Sequence, residues 1–169
     1  RRSSDLNSWR FKDGEPILSK LRASQYSTWP TNIPGTVGYG IDVSEHQGVI
    51  DWSKAKAAGV DYAIVRCGYG QDQADQDDDY WYTNANACVQ YGIPFGTYLY
   101  SYADTVAKAR SEAQHVLRLV RGYNLSYPIY YDLEESTVRN KLNTTEIANI
   151  AQAFCDVIED AGYEVAIYA

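Results

Sequence analysis

Two kinds of apolar pattern alternate along the chain from residue 39 onward. Short apolar and aromatic runs predict buried strands, whereas segments with an apolar residue at every third or fourth position predict amphipathic helices. Each helical segment ends at a glycine, which is typical of the turn that leads from a helix into the next strand. The predicted strands are YGIDVS, VDYAIVRCGYG, PFGTYLYSYA, YPIYYDLEE and YEVAIYA, and the predicted helices are IDWSKAKAAG, DYWYTNANACVQYG, DTVAKARSEAQHVLRLVRG and NTTEIANIAQAFCDVIEDAG.

This order of elements predicts an α/β fold with a mainly parallel sheet, because strand–helix–strand units connect in the right-handed sense. A doubly wound sheet and a (β/α) barrel both satisfy the pattern. No glycine-rich phosphate-binding loop follows any of the predicted strands, which removes the main support for a nucleotide-binding doubly wound fold. We therefore predict a barrel-like α/β fold.

Residues 1–38 follow a different pattern. They show no sustained periodicity and contain three of the five prolines. The segment SWRFKDGEPI resembles a β-hairpin with Asp13 and Gly14 at its turn. We predict a linker or arm over residues 1–38 and one folded domain over residues 39–169, since the chain is long enough for a single sizeable core.

Composition and charge limit the kinds of molecule that the protein is expected to bind. The formal net charge is −7 and no cluster of lysine and arginine stands out, so binding to a nucleic-acid backbone is not expected. No apolar run approaches the roughly 20 residues that a membrane-spanning helix needs. The 16 tyrosines and 4 tryptophans suit the faces of sugar rings, although tyrosine is also a common strand residue. Cys67, Cys88 and Cys155 fit neither a disulfide framework nor a metal site and predict buried free thiols.

Acidic residues interrupt two of the apolar strands near their carboxyl ends, which is where barrel enzymes carry their chemistry. Asp42 lies inside the first strand, and the fourth strand runs directly into Asp132, Glu134 and Glu135. Because side chains alternate along a strand, Asp132 and Glu134 share one face, about 7 Å apart at the backbone, while Leu133 and Glu135 take the other. Asp42 completes the cluster only if its strand and the fourth strand neighbour one another around a barrel.

Paired carboxyl groups point to a particular chemistry. Two carboxyl groups held close together raise the pKa of one of them. A protonated glutamic acid beside an ionised carboxylate is the working pair of a glycosidase. The alternative is that the three acids cap the following helix, but that helix is predicted to begin near Asn143, too far downstream. The position at the strand end therefore favours a catalytic role.

The motifs around these acids resemble those of the glycoside hydrolase family 25 lysozymes of bacteria, phages and fungi. The similarity rests on GIDVSEHQGVIDW, YAIVRCGYG, GIPFGTYLYSYA and YPIYYDLEE, and it extends from about Gly40 to Ala169. It implies a modified TIM-type barrel with fewer helices. It also implies hydrolysis of the β-1,4 bond between N-acetylmuramic acid and N-acetylglucosamine in peptidoglycan, without metal or cofactor.

Matched residue by residue, the resemblance implies a role for each acid. Glu134 corresponds to the general acid, and Asp132 to the acid that stabilises the intermediate. Asp42 corresponds to the acid that helps to bind and polarise the sugar. A covalent and a substrate-assisted route are both open for a retaining enzyme of this type.

Other side chains near the strand ends are weaker candidates. Tyr69, Tyr98 and Tyr100 are candidates for stacking on saccharide, with packing in the core or at the rim as the alternative. His46 is expected to shape the first loop through hydrogen bonds. The acidic loop GQDQADQDDDYW lacks the ligand spacing of an EF-hand, so a solvated loop is expected there rather than a calcium site.

Members of the resembled family continue past the strand matched by EVAIYA, with further strands and another active-site aspartate. We therefore expect a fragment whose barrel lacks its last strands, accompanied in the complete protein by wall-binding modules or by a separate C-terminal piece. The expected location is extracellular or cell-wall associated. Two alternatives stay open: a non-catalytic domain that binds cell-wall glycan, and a glycosidase that acts on another N-acetylated polymer such as chitin.

Overall fold

The computed structural model describes residues 38–169 and two short strands, Phe11–Lys12 (β1) and Glu15–Pro16 (β2). These two strands pair antiparallel, with Phe11 opposite Pro16, as expected for the predicted hairpin. The predicted turn at Asp13 and Gly14 lies outside the described residues, as does most of the predicted arm over residues 1–38.

From residue 38 onward, strands and helices alternate as the sequence predicts. The strands are Gly40–Val43 (β3), Tyr62–Tyr69 (β4), Phe95–Tyr100 (β5), Ile129–Asp132 (β6) and Val165–Tyr168 (β7). The helices are Trp52–Ala57 (α1), Trp81–Tyr91 (α2), Val106–Val120 (α3), Ser136–Arg139 (α4) and Thr144–Asp160 (α5). Of these ten elements, only α4 has no counterpart among the predicted elements.

Local sequence signals set the ends of the helices. At the start of α5, the Asn143 side chain accepts the backbone N–H of Glu146 at 3.0 Å. The Glu146 carboxylate in turn accepts the backbone N–H of Asn143 at 2.8 Å, which completes a capping box. At the end of α2, Gly92 adopts a left-handed conformation with a φ of 59°, which lets the chain turn into β5.

Strands β3 to β7 form one parallel sheet in sequential order. A row of register partners crosses it through Val43, Val65, Thr97, Ile129 and Val165. A doubly wound sheet reverses its strand order at a switch point, whereas this order never reverses. Helices α2 and α3 pack on β4, and α5 packs on β6 and β7. The prediction of a barrel-like α/β fold is confirmed.

The two faces of this sheet differ in what covers them. On the covered face, which we define as the one packed against the helices, the residues of β3 to β6 are almost fully buried. They include Val43, Val65, Thr97, Leu99, Ile129 and Tyr131. The alternate residues of the same strands form the open face. It carries mostly polar and aromatic side chains, among them Asp42, Arg66, Tyr98, Tyr100, Tyr130 and Asp132.

One expectation about the helices is wrong. The sequence predicts that the helix after β6 begins near Asn143, whereas α4 begins at Ser136, directly after Glu135. The Glu135 carboxylate accepts the backbone N–H of Thr137 at 2.9 Å and so caps α4. Helix capping therefore explains the position of one of the three acids, Glu135. A four-residue helix is too short to produce the periodic pattern that predicts helices.

Two further sequence predictions concern the cysteines and the membrane. Cys67 and Cys88 are buried free thiols, as predicted, whereas Cys155 is only half-buried. Among the described residues, no helix combines the length and the apolar character that crossing a membrane requires.

Candidate active site

The two acids predicted to share a face lie at the carboxyl end of β6. Asp132 is the last residue of the strand, and Glu134 follows two positions later. A carboxylate oxygen of Asp132 accepts the backbone N–H of Glu134 at 3.2 Å, which ties the two residues together. Asp132 is buried and Glu134 is half-buried, so Glu134 is the more accessible to a ligand.

The third acid of the group has a different environment. Glu135 and Leu133 are buried and line a small cavity together with side chains of α4 and α5. The hydroxyl of Tyr100 donates to the Glu135 carboxylate at 2.9 Å. Glu135 therefore has a structural role, and Asp132 and Glu134 remain as the candidates for chemistry on β6.

Asp42 comes from β3, three strands away from β6, yet it interacts with Glu134. Loss of hydration on burial raises the pKa of the Asp42 carboxyl, and the negative charge of Glu134 raises it further against a backbone hydrogen bond that lowers it. As a whole residue Asp42 is exposed. Its carboxyl group nevertheless lies among enough protein atoms for lost hydration to be the largest cause of the shift. Burial is thus the main cause of this shift in the pKa of Asp42, and the charge of Glu134 is a lesser one.

Tyr98 links the acids across the open face. Its half-buried side chain lies on β5 and interacts with the charges of Arg66, Asp42 and Asp132, and its hydroxyl lies close to the Ser44 side chain. Burial raises the pKa of Tyr98, so its hydroxyl stays neutral over the physiological range. Of the three predicted tyrosines, Tyr98 is the one that lies among the acids.

The other two predicted tyrosines are register partners at the ends of β4 and β5. The Tyr69 hydroxyl lies 3.4 Å from the carbonyl oxygen of Asp75. Tyr102 packs against both rings, with centroid distances of 6.3 Å to Tyr69 and 5.3 Å to Tyr100. Sequence analysis missed Tyr102, which is 45% exposed and continues the aromatic alternation of YLYSY beyond the end of β5. These three rings form an aromatic rim beside the acids.

Sequence analysis also missed Arg66, a buried arginine on the open face. Its Nε donates to Asp78 at 2.7 Å, and its Nη2 lies 2.8 Å from a carboxylate oxygen of Glu45. The His46 ring nitrogen Nε2 lies 3.3 Å from Nη1 of Arg66, which agrees with the structural role predicted for His46. Arg66 is a charged residue inside the apolar strand YAIVRCGY, which is the same signal that identifies Asp42. The sequence therefore did contain a signal for Arg66.

The acidic loop after β4 is not simply solvated, contrary to expectation. Arg118 of α3 donates to Asp77 at 2.6 and 3.0 Å and to Asp72 at 2.7 Å. The buried ring of His115 also lies 2.8 Å from Asp77. These acids hold the loop onto α3. Within the part of the chain that the structure describes, no group of three or more His, Cys, Asp or Glu side chains could hold a metal ion.

Comparison with known proteins gives a consistent family. The sequence model of glycosyl hydrolases family 25 matches residues 41–169. The autolytic lysozyme of Clostridium acetobutylicum is 25% identical over 129 residues, which cover 76% of this chain and 37% of that protein.

Solved structures agree with the family match. The modular autolysin LytC from Streptococcus pneumoniae has 32% sequence identity and a TM-score of 0.67, and the match covers 95% of this chain and 37% of that one. A family 25 glycosyl hydrolase from Bacillus anthracis is 22% identical with a TM-score of 0.68, over 77% of this chain and 59% of that one, a similarity that concerns the fold alone. This chain therefore spans 37% of the length of both the autolytic lysozyme and LytC.

Proposed function

This chain belongs to glycosyl hydrolases family 25, and we propose that it hydrolyses the β-1,4 bond between N-acetylmuramic acid and N-acetylglucosamine in peptidoglycan. One observation carries the proposal. Asp42 lies in β3 and Glu134 follows the end of β6, three strands away, yet the charge of Glu134 contributes to the raised pKa of Asp42. Carboxyl groups that share a site but differ in environment are what acid-catalysed glycoside hydrolysis requires.

In this proposal Glu134 is the general acid. Its half-buried carboxyl group is accessible to a glycan on the open face and donates a proton to the oxygen of the leaving sugar. The hydrogen bond from its own backbone N–H holds Asp132 beside it. Asp132 then stabilises the positive charge that develops on the sugar, either by forming a covalent intermediate or by orienting the substrate's own N-acetyl group. Both routes retain the configuration at the cleaved carbon.

The remaining side chains of the site bind the glycan. Asp42 accepts hydrogen bonds from the sugar and polarises it, and the neutral Tyr98 hydroxyl offers a donor next to it. The aromatic rim of Tyr69, Tyr100 and Tyr102 presents ring faces on which a sugar can stack.

The relatives support a cell-wall substrate. LytC has been solved in complex with a synthetic peptidoglycan ligand, and the curated relative is described as an autolytic lysozyme. By extension, the partners of this protein are peptidoglycan glycan strands in an extracellular or wall-associated setting, with further wall-binding modules in the complete protein.

Clearance of a suspension of purified cell walls tests the proposal. Glu134→Gln keeps the shape of the side chain but cannot act as the acid, so lysis should fall by about 100-fold or more while wall binding is retained. Glu164→Gln removes an exposed carboxylate before β7 and serves as the matched control with unchanged lysis. Binding without lysis by the unmodified protein would instead indicate a non-catalytic wall-binding domain.

Analysis of the released fragments tests the substrate. New reducing ends should be muramic acid if the proposed bond is cleaved. Glucosamine as the only new reducing end would mean that the other glycosidic bond of peptidoglycan is cleaved. Release of sugar from chitin but not from cell walls would point to a glycosidase for that other N-acetylated polymer.

A further inference from the structure

A buried positive charge lies between the two loops that border the candidate active site, and the proposed reaction leaves it without a role. The first loop, residues 44–51, follows β3, and the second, residues 70–80, follows β4. The Arg66 side chain between them is 8% exposed and is held by carboxylates of both loops. We propose that Arg66 is a positioning residue that fixes the first loop and thereby the geometry of Asp42 and Tyr98. This inference rests on the proposed function.

Arg66 contacts Asp78 of the second loop and Glu45 of the first, and Asp78 and Glu45 contact each other. These three residues therefore form a triangle between the loops. Its Nε donates to Asp78 Oδ2 at 2.7 Å, and the same oxygen accepts the backbone N–H of Glu45 at 2.9 Å. Glu45 is held a second time, because its carboxylate lies 2.8 Å from Arg66 Nη2. The other oxygen of Asp78 accepts the backbone N–H of Tyr80 at 2.9 Å. The guanidinium fork therefore contacts both loops at once, through a hydrogen bond to Asp78 and an ion pair with Glu45, which the single ammonium group of lysine cannot reproduce.

The triangle reaches the acids through the short segment between Asp42 and Glu45. Ser44 in this segment is buried, and its backbone N–H and hydroxyl both donate to Gln47, at 2.7 and 3.1 Å. The Ser44 side chain also lies close to the hydroxyl of Tyr98. A shift of the segment would therefore move Asp42 and Tyr98 relative to Glu134. A misplacement of about 1 Å can cost on the order of 100-fold in rate.

A purely structural role is the alternative, so the variants must keep the protein folded. Removing the Arg66 side chain outright would leave Asp78 as an unpaired buried charge, which is strongly destabilising. Arg66→Lys keeps the charge and loses the fork. Glu45→Gln weakens the tie to Arg66 at a half-buried position and leaves the backbone bond to Asp78 in place. Arg118→Lys is the matched control, because Arg118 also ties the second loop with ion pairs but contacts neither Glu45 nor Asp78.

Kinetics on a soluble peptidoglycan fragment, measured with the full-length protein, separate positioning from folding. We expect Arg66→Lys to lower kcat by about tenfold or more, with KM changed less than about twofold, since the fault lies in the alignment of reacting groups. Glu45→Gln should lower kcat in the same direction by a smaller factor. Arg118→Lys should lose a similar amount of stability in urea and keep its kcat. An equal loss of kcat in Arg118→Lys and Arg66→Lys would overturn the proposal.

Hydrogen exchange at the Glu45 amide gives a second readout that does not depend on activity. This amide is bound to Asp78 Oδ2, so loosening the triangle in Arg66→Lys should speed its exchange by about tenfold, while amides of α5 keep their rates. Unchanged exchange at Glu45 would overturn the inference even if activity fell. Should the unmodified protein release no sugar at all, the proposed function fails, and the exchange rate alone then decides whether Arg66 holds the loop.

Discussion

The covered face and the open face of the sheet use the same strands for opposite purposes, and the contrast is sharpest at adjacent residues of β6. Tyr131 is fully buried on the covered face and stacks on Phe154 of α5, with 3.8 Å between ring centroids. Asp132, the next residue, accepts the Glu134 N–H and interacts with Tyr98 on the open face. A substitution at Tyr131 should therefore lower the stability of the fold, whereas a substitution at the adjacent Asp132 should lower the activity.

The two faces also differ in how well they stabilise the fold. The covered face buries apolar side chains against helices, which is favourable by about 25 cal/mol per Å² of apolar surface. The open face instead brings together carboxyl groups that repel one another and lose hydration, as the raised pKa of Asp42 shows. Catalytic sites commonly carry such a cost in stability. Substitutions on the two faces should therefore have separable effects.

The largest expected effect is on the covered face. Phe154→Ala should lower the free energy of unfolding by about 4 kcal/mol, because it leaves a cavity beside Tyr131 in a fully buried site. Urea unfolding followed by circular dichroism measures the change, and Glu159→Ala, at an exposed position of the same helix, serves as the control with little effect. A loss below about 1 kcal/mol would mean that α5 does not pack on the sheet as described.

Asp132→Asn should show the opposite behaviour. Asparagine keeps the oxygen that accepts the Glu134 N–H and loses only the negative charge. We expect kcat/KM on a soluble glycan fragment to fall by about 100-fold, equivalent to ~3 kcal/mol of transition-state stabilisation. Stability should stay within about 0.5 kcal/mol of the unmodified protein. If Asp132→Asn instead loses stability and keeps its activity, the roles assigned to the covered face and the open face are wrong.

Two adjacent residues of β5, one on each face, allow a matched comparison. Each substitution removes one hydroxyl group and should cost about 1 kcal/mol. Tyr98→Phe removes a hydroxyl that lies near Asp42 and Asp132, so kcat/KM should fall by about fivefold at unchanged stability. Thr97→Val removes a buried hydroxyl that donates to the Val65 carbonyl at 2.6 Å, so stability should fall by about 1 kcal/mol at unchanged activity. If both variants alter both properties, the faces are coupled.

The smallest expected effect concerns the pH dependence of stability. Burial raises the pKa of Glu112 above its ordinary value of 4.5, although hydrogen bonds from Tyr131, Ser101 and the Tyr102 N–H oppose the shift. The folded protein then keeps a proton that the unfolded chain has lost. The free energy of unfolding should therefore fall as the pH rises from about 4.5 through the raised pKa. Glu112→Gln has no such proton and should flatten that part of the profile in thermal unfolding.

The sequence alone was sufficient for the elements and their order. Helices end where glycine permits a left-handed turn, as at Gly92, and α5 begins at a capping box that is legible as Asn143 and Glu146. These signals are local, so they do not depend on the rest of the fold. Alternation along β6 likewise assigns Asp132 to one face and Leu133 to the other, because the side-chain period of a strand is two. The short helix α4 was not predicted, because four residues are too few to show the periodic pattern of a helix.

Tertiary structure decided which side chains meet. Asp42 in β3 and Glu134 after the end of β6 are 92 positions apart (134 − 42), and no local pattern fixes the order in which strands pair. Sequential parallel pairing, together with the tilt of strands in barrel-like sheets, brings them together. The roles of Arg66 and Glu135 also depended on distant partners, Glu45 with Asp78 in one case and Tyr100 in the other. Local propensities act within a few residues, whereas hydrogen bonds and charges act between whatever side chains the packed fold brings within a few ångströms of each other.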